Sequence, residues 1–225
     1  ADQLITPTPY SKELLEGYGI QVPIEAISNG IDLDKYQPDQ EKEKAFREYF
    51  NLLPDQKVII SVGLFFERKG ILDFVEIARQ LPEYTFIWFG HTPMMTIPKQ
   101  IRDLVNEDHP ENVLFPGYIK GDIIEGAYSA ADLFFFPSYE ETEGIVVLEA
   151  LASRQNVLVR DIPVYKGWLS NGRNAYMEKT NEGFIEKIKG IVEGTLPPLS
   201  EAGYETAKQK SIDEIGFKLQ EVYTK

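Results

Sequence analysis

The 225-residue chain has no cysteine, and only two histidines and three methionines. The missing thiols exclude a disulfide scaffold, thiolate catalysis and cysteine-ligated zinc or iron–sulfur centres, and they fit a reducing cell interior. Positive charge is also scarce. With 23 Lys and Arg against 36 Asp and Glu the net charge is −13, a field that repels nucleic-acid phosphate and anionic lipid unless one face is locally basic. No apolar run approaches the roughly 18 residues of a membrane span, and Ala1-Asp2-Gln3 lacks the basic-then-apolar layout of a secretory leader. Because the first residue is not Met, the chain is expected to be processed or excised from something longer. What is present is ordinary globular material, 43% hydrophobic, 26% charged and 12% aromatic, which excludes disordered, collagen-like and coiled-coil classes. At roughly 150 residues per domain, the length gives one α/β-sized domain plus a fragment.

From Lys57 onward, short β-branched and aromatic runs alternate with segments of helical period, the signature of βαβ units around a parallel sheet with helices on both faces. The expected strands are Val58 to Val62, Thr85 to Phe89, Val113 to Phe115, Leu133 to Phe136 and Val157 to Val159. Ile71, Phe74, Val75, Ala78 and Leu81 form one helical stripe, Ile124, Ala127, Tyr128 and Ala131 a weaker one, and Ile145, Leu148, Leu151 and Ala152 a third. The first 30 residues form a unit of their own: a strand at Leu4 to Thr6, a helix from about Ser11 to Tyr18, a strand at Ile24 to Ser28, and the turn Asn29-Gly30. The run Gln37 to Lys44 is charged and predicts a solvated connector or a helix start. After Leu196-Pro197-Pro198, a last helical stretch carries Ile212, Ile215, Leu219 and Val222 on one face, a stripe that needs a docking partner.

In open parallel sheets, ligands collect outside the carboxyl ends of the strands, where helix N-termini favour anions. Two segments fit. In Val62-Gly63-Leu64-Phe65-Phe66-Glu67-Arg68-Lys69-Gly70, two cations at a helix start oppose the helix dipole, so they point to a bound phosphate or else form a solvated surface pair. The spacing matches neither a Walker loop nor a dinucleotide fingerprint. In the segment Pro137 to Ala152, a strand ends at Pro137, an acidic loop follows, and a helix opens near Ile145 after Gly144 with Glu149 on its stripe. Glu141 and Glu149 are expected on the order of 10 Å apart, wider than a glycosidase pair at about 5 to 9.5 Å. That separation suits carboxylates gripping the hydroxyls at both ends of an elongated ligand with phosphates between them; the alternative is solvated loop glutamates plus one Glu paired to an Arg. Asp32-Leu33-Asp34 imitates a metal-holding Asp-x-Asp triplet that chance also supplies. His91 and His109 have no second ligand at metal spacing.

Together these segments resemble the C-terminal, donor-binding half of a family 4 retaining glycosyltransferase of the two-Rossmann-domain GT-B type. Ser28-Asn29-Gly30-Ile31-Asp32 with Tyr36-Gln37-Pro38 is similar to the family's P-N-G-V-D…F-x-P segment. Val62-Gly63…Lys69-Gly70 is similar to V-G-R-L-x-x-x-K-G, Asn112 to Ile119 to its V-x-F-x-G-x-V strand, and Glu141 to Glu149 to its E-x7-E spacing. The stretch from Glu141 to Leu151, with Arg160-Asp161-Ile162-Pro163-Val164-Tyr165 and Trp168-Leu169, looks most like bacterial glucosyltransferases acting on diacylglycerol.

The resemblance implies a Rossmann-like domain over residues 29–198, a preceding tail of the acceptor domain over 1–28, and a C-terminal helix over 199–225 that crosses back to that domain. It implies that Glu141 binds hydroxyls of the transferred sugar, Glu149 binds the ribose, and the N–H groups of Gly144, Ile145 and Val146 bind sugar and diphosphate beside Gly63. Lys69 would neutralise the departing diphosphate, and the backbone at Tyr118 and Ile119 would face the base. UDP-glucose would be the donor, with no metal. The acceptor, a lipid such as diacylglycerol or a glycan, would belong to the N-terminal half, which would also carry a catalytic His and any membrane contact. The fragment alone would be inactive, and the intact enzyme cytoplasmic, peripheral at the inner face of the cell membrane. Two departures stand out: the family's phosphate-binding Arg is Leu64 here, with either Arg68 or a cation of the N-terminal half as the substitute, and E-G-F-G is Glu141-Thr142-Glu143-Gly144, which would put an extra carboxylate near the sugar and remove an aromatic. The competing functions are a glycan transferase with another donor, a non-catalytic nucleotide-sugar binding module, and a sugar epimerase on a similar fold.

Overall fold

The computed structural model describes residues 2–224. The chain opens with β1 (Leu4–Thr6), α1 (Pro9–Gly17) and β2 (Ile24–Ala26), a small unit in which β1 and β2 pair in parallel. It continues through α2 (Gln40–Tyr49), β3 (Val58–Val62), α3 (Ile71–Gln80), β4 (Thr85–Phe89), α4 (Lys99–Asn106), β5 (Val113–Gly117), α5 (Asp122–Ala130), β6 (Leu133–Phe136) and α6 (Ile145–Ala152). The remainder is β7 (Val157–Arg160), β8 (Tyr176–Glu178), α7 (Asn181–Val192), α8 (Ser200–Lys208) and α9 (Ile212–Tyr223).

Strands β3 to β8 form one parallel sheet in the order β5-β4-β3-β6-β7-β8. Alternate residues of each strand enter opposite cores: Val58, Ile60, Phe134 and Phe136 pack under α2, α5, α6 and α8, whereas Ile59, Trp88, Leu133 and Phe135 pack under α3, α4 and α7. Covering on both faces is why these strands read as unbroken apolar runs. Counting sheet strands from β3, the order is 3-2-1-4-5-6, the Rossmann-like doubly wound arrangement, and its direction reverses between β3 and β6. The loops after those two strands touch: a Cβ on Gly70, whose φ is +77°, would lie 2.4 Å from the Pro137 carbonyl oxygen. On the other side, a Cβ on Gly90 would lie 2.0 Å from the Gly63 carbonyl oxygen. Glycine is therefore required where three strand ends converge.

Of the two readings of the Gln37 to Lys44 run, the helix start holds: it opens α2, capped by the Asp39 side chain, which accepts from the N–H groups of Glu41 and Lys42. Phe46 anchors α2 in the core, and the helix lies so close to α5 that a Cβ on Gly126 would be 2.1 Å from the Lys42 carbonyl. Other elements differ from the sequence expectation. Strand β5 runs on to Gly117, β7 to Arg160, and β8 adds an edge that the run-based strand list omits. Helices α4 and α7 add to the helical stripes expected from the sequence, and the stretch after Pro198 is two helices broken at Gln209–Ser211 rather than one. In α9 only Ile215 is buried, with Ile212 and Phe217 exposed.

Candidate functional site

At the carboxyl edge of the sheet, the loop after β3 tightens into a short turn at Glu67–Lys69 and passes through left-handed Gly70 into α3. The loop after β6 brings Glu141 opposite it. Lys69 Nζ donates to Glu141 Oε1 at 2.5 Å, and Ser138 Oγ donates to the same oxygen at 2.7 Å. The two charged side chains are only 14% and 8% exposed. Removing one partner of so enclosed a pair typically costs about 3–5 kcal/mol, because the other charge is left without compensation. Arg68 is exposed, lies over the Phe66 ring and donates to the Glu140 carbonyl at 3.3 Å. Arg68, Lys69, Glu141 and Thr142 line a cavity of about 630 Å³, closed on one side by Tyr10 and Leu14 of α1. Sequence reasoning missed that wall. Thr8, the N-cap of α1, and Ser11 both donate hydroxyls to the Thr142 carbonyl, at 2.9 and 3.1 Å.

A second cavity, of about 420 Å³, is lined by Tyr118 and Ile119 after β5, by Gly90 after β4, and by Tyr36, Val146 and Glu149. The two acids therefore line separate hollows, and the N-terminus of α6 stands between Thr142 of one and Val146 of the other. Both volumes lie in the range of small-molecule sites. Gly144, at φ +85°, leads into α6 with no side-chain cap, so the first N–H groups of Ile145 and Val146 are free of a capping oxygen. Gly63 borders Lys69: a Cβ there would lie 3.9 Å from the lysine Cγ.

Two expectations are corrected. Ile145 and Glu149 do not share a buried stripe, since Ile145 is 44% exposed; α6 buries Val147, Leu148, Ala150, Leu151 and Ala152, leaving Ile145, Val146 and Glu149 as its open side. Glu149 also has protein donors: Tyr36 Oη donates to Oε1 at 2.6 Å and Tyr128 Oη to Oε2 at 2.5 Å. Burial, then the Glu149 charge, pushes both phenols well above the ordinary tyrosine pKa, so they remain donors. The second correction concerns Glu143, expected as an extra carboxylate near the ligand, which does not line the cavity that holds Glu141. It is 1% exposed and faces away, accepting from Ser28 Oγ, from the Asn29 N–H (3.0 Å) and side-chain amide (2.7 Å), and from Lys210 Nζ (3.1 Å). Tyr165 packs against the loop that carries Glu143, its hydroxyl 3.3 Å from where a Cβ on Gly144 would lie. Asp32 and Asp34 cap their own turn, accepting from the Lys35 N–H and the Gln37 amide. His109 bonds the Pro110 carbonyl, and exposed His91 packs edge-on to Phe65. Among the described residues no group of three or more His, Asp or Glu is placed to hold a metal ion, and no helix is long and apolar enough to cross a membrane.

A doubly wound parallel sheet that gathers two cations, an uncapped helix N-terminus and two carboxylates near its switch point is a Rossmann-like α/β domain with the features of an anion-binding site. Comparison with known proteins gives the family. The model of glycosyl transferases group 1 matches residues 42–210, and the chain belongs to that family. It is 48% identical over 99% of its length to the processive diacylglycerol alpha-glucosyltransferase of Acholeplasma laidlawii, of which it covers 67%. It is 31% identical over 82% of its length to the alpha-galactosylglucosyldiacylglycerol synthase of Streptococcus pneumoniae, covering 51% of that protein. The chain thus spans about half to two thirds of these relatives. Among solved structures, Anabaena HepE in complex with UDP-glucose superposes over the whole chain and 64% of its own, with a TM-score of 0.88 at 17% identity, a likeness of fold.

Proposed function

We propose that this chain is the donor-binding half of a retaining glycosyltransferase that moves glucose from UDP-glucose to a diacylglycerol-type lipid. The observation that carries the proposal is the 48% identity, over nearly the whole chain, to a diacylglycerol alpha-glucosyltransferase. An alpha product from an alpha-linked donor is retention. In this reading Glu149 takes the ribose hydroxyls, the backbone of Tyr118 and Ile119 the base, and the N–H groups of Gly144, Ile145 and Val146 the diphosphate and sugar. Glu141 holds sugar hydroxyls. Lys69, supported by Arg68 and with Gly63 leaving room for the phosphates, stabilises the charge that grows as the sugar–phosphate bond breaks, the main lever such a site has. The acceptor hydroxyl attacks the sugar C1 on the face the phosphate leaves, and its proton passes to the departing phosphate oxygen.

Residues 29–198 form the donor domain in this proposal, residues 1–28 belong with an acceptor domain that precedes them, and the segment 199–225 returns to it. That acceptor half would supply the lipid pocket and peripheral membrane contact, which accords with the −13 charge of this half. The chain alone then binds donor without turnover. Calorimetry with UDP, UDP-glucose and GDP-mannose on the wild type and Glu149→Ala tests it. Micromolar to millimolar binding of the uridine ligands, weakened by the substitution, is expected. A preference for GDP-mannose refutes the donor, and equal binding by the variant refutes the ribose assignment. The full-length enzyme should convert labelled UDP-glucose and diacylglycerol to glucolipid; labelling of glycans instead refutes the lipid acceptor.

A further inference from the structure

Tyr165 is completely buried, and its hydroxyl is one of two buried side-chain polar atoms with no hydrogen-bond partner among the described residues, the other being Ser61 Oγ within β3. A buried phenol without a partner is costly and requires an explanation. Tyr165 ends the short turn Pro163–Tyr165 after β7, with its ring edge-on to Trp168 at 5.5 Å. Its hydroxyl packs against Gly144, three residues after Glu141, 3.3 Å from where a Gly144 Cβ would be. The Glu141 charge reaches it: after burial, that carboxylate is what raises the phenol's pKa.

The donors to Glu141 make the vacancy of that phenol meaningful. Lys69 Nζ and Ser138 Oγ both converge on Oε1, and Lys69 is the cation that the proposed function assigns to the diphosphate. When Nζ turns toward phosphate, Glu141 remains enclosed without its counter-charge, a costly state unless another donor replaces it. We propose that Tyr165 is a positioning residue of the donor site, its O–H donating to the Glu141 carboxylate once Lys69 is drawn to a diphosphate and so keeping that carboxylate ionised and aimed at the sugar. This inference rests on the donor-site reading above.

The test uses UDP, which draws Lys69 but has no sugar for Glu141 to grip, so that binding survives changes at Glu141. Tyr165→Phe, which only removes the unpaired hydroxyl, is expected to unfold at the same temperature as wild type or higher, yet to bind UDP about tenfold more weakly by calorimetry. In a Glu141→Gln background, where no charge needs compensation, the same substitution should change UDP affinity less than twofold. Equal UDP binding by Tyr165→Phe and wild type, an undiminished loss in the Glu141→Gln background, or a lower unfolding temperature of Tyr165→Phe would each overturn the proposal. Failure of the wild type itself to bind UDP would instead overturn the donor-site reading.

Discussion

Replacing Tyr36 with Phe tests how Glu149 is held. The substitution keeps the ring, its edge contact with Tyr128 at 5.7 Å and its place beneath Lys35 Nζ, and deletes only the hydroxyl that donates to Oε1 at 2.6 Å. A hydrogen bond to a charged group contributes about 1.5–3 kcal/mol. Glu149 is half-buried, so water takes part of the vacated position, and the expected loss is at the low end, about 1.5 kcal/mol. Urea denaturation should show this as a lower midpoint with an unchanged slope. The effect on ligand separates two arrangements. A carboxylate oxygen accepts about two hydrogen bonds, so each phenol leaves one position on its oxygen for a ribose hydroxyl while fixing the carboxylate's orientation. Tyr36→Phe should then weaken UDP about three- to tenfold, the equivalent of roughly 0.7–1.4 kcal/mol. Tighter UDP binding by the variant would show that phenol and ribose compete for the same positions, and would refute the orienting role.

Gly70→Ala should destabilise the fold by at least about 2 kcal/mol, of which about 1–2 comes from left-handed backbone and the rest from driving the Pro137 loop away; a wild-type urea midpoint would contradict the close approach. Glu143→Gln leaves the half-buried Lys210 without its counter-charge and should lose about 3 kcal/mol, the low end for an enclosed pair, read by the same denaturation; a loss under 1 kcal/mol would mean that the network is solvated. Alkaline pH offers another check. The phenols of Tyr36, Tyr128 and Tyr165 are all raised in the fold, so their contribution is complete below the unfolded value of about 10 and is lost as pH climbs beyond it. Urea midpoints should fall above about pH 10 and fall less in Tyr36→Phe, whereas a flat profile would contradict the buried phenols.

The sheet was legible because strands covered on both faces must be apolar throughout, and Ile59, Ile60, Phe134 and Phe135 announce that at once. Helix α2 was legible only as connector or helix start, for the opposite reason: Gln40 to Lys44 is nearly all charge, and the single fully buried anchor, Phe46, lies beyond that run. Strand β8 is three residues at an edge, too short to show a pattern. At the site, spacing placed Glu141, Lys69 and Glu149 at the sheet's carboxyl edge, but not their partners. Tyr36 and Lys210 reach their carboxylates from 113 and 67 positions away, and no local pattern signals contacts of that range. Glu143 was misassigned because its neighbours in sequence face the cavity while its own side chain turns to the opposite side of the loop. Only the tyrosine that replaces the family's phenylalanine before Gln37-Pro38 hinted at a polar partner, and a hydroxyl on a ring was the available clue.

The segment Gly30-Ile31 and the break between α8 and α9 run side by side, joined where the Ile31 N–H donates to the Lys210 carbonyl (2.9 Å) and the Ile212 N–H to the Ile31 carbonyl (3.0 Å). Glu143 fastens both threads, through Ser28 and Asn29 on one and Lys210 on the other. Entry to the sheet domain and departure from it are consequently a single knot, tied by a side chain two residues from Glu141. The flanking β1-α1-β2 unit is fastened to the neighbouring residue of the same loop, where Thr8 and Ser11 donate to the Thr142 carbonyl, so one short loop joins the small unit, both ends of the sheet domain and the Glu141 cavity.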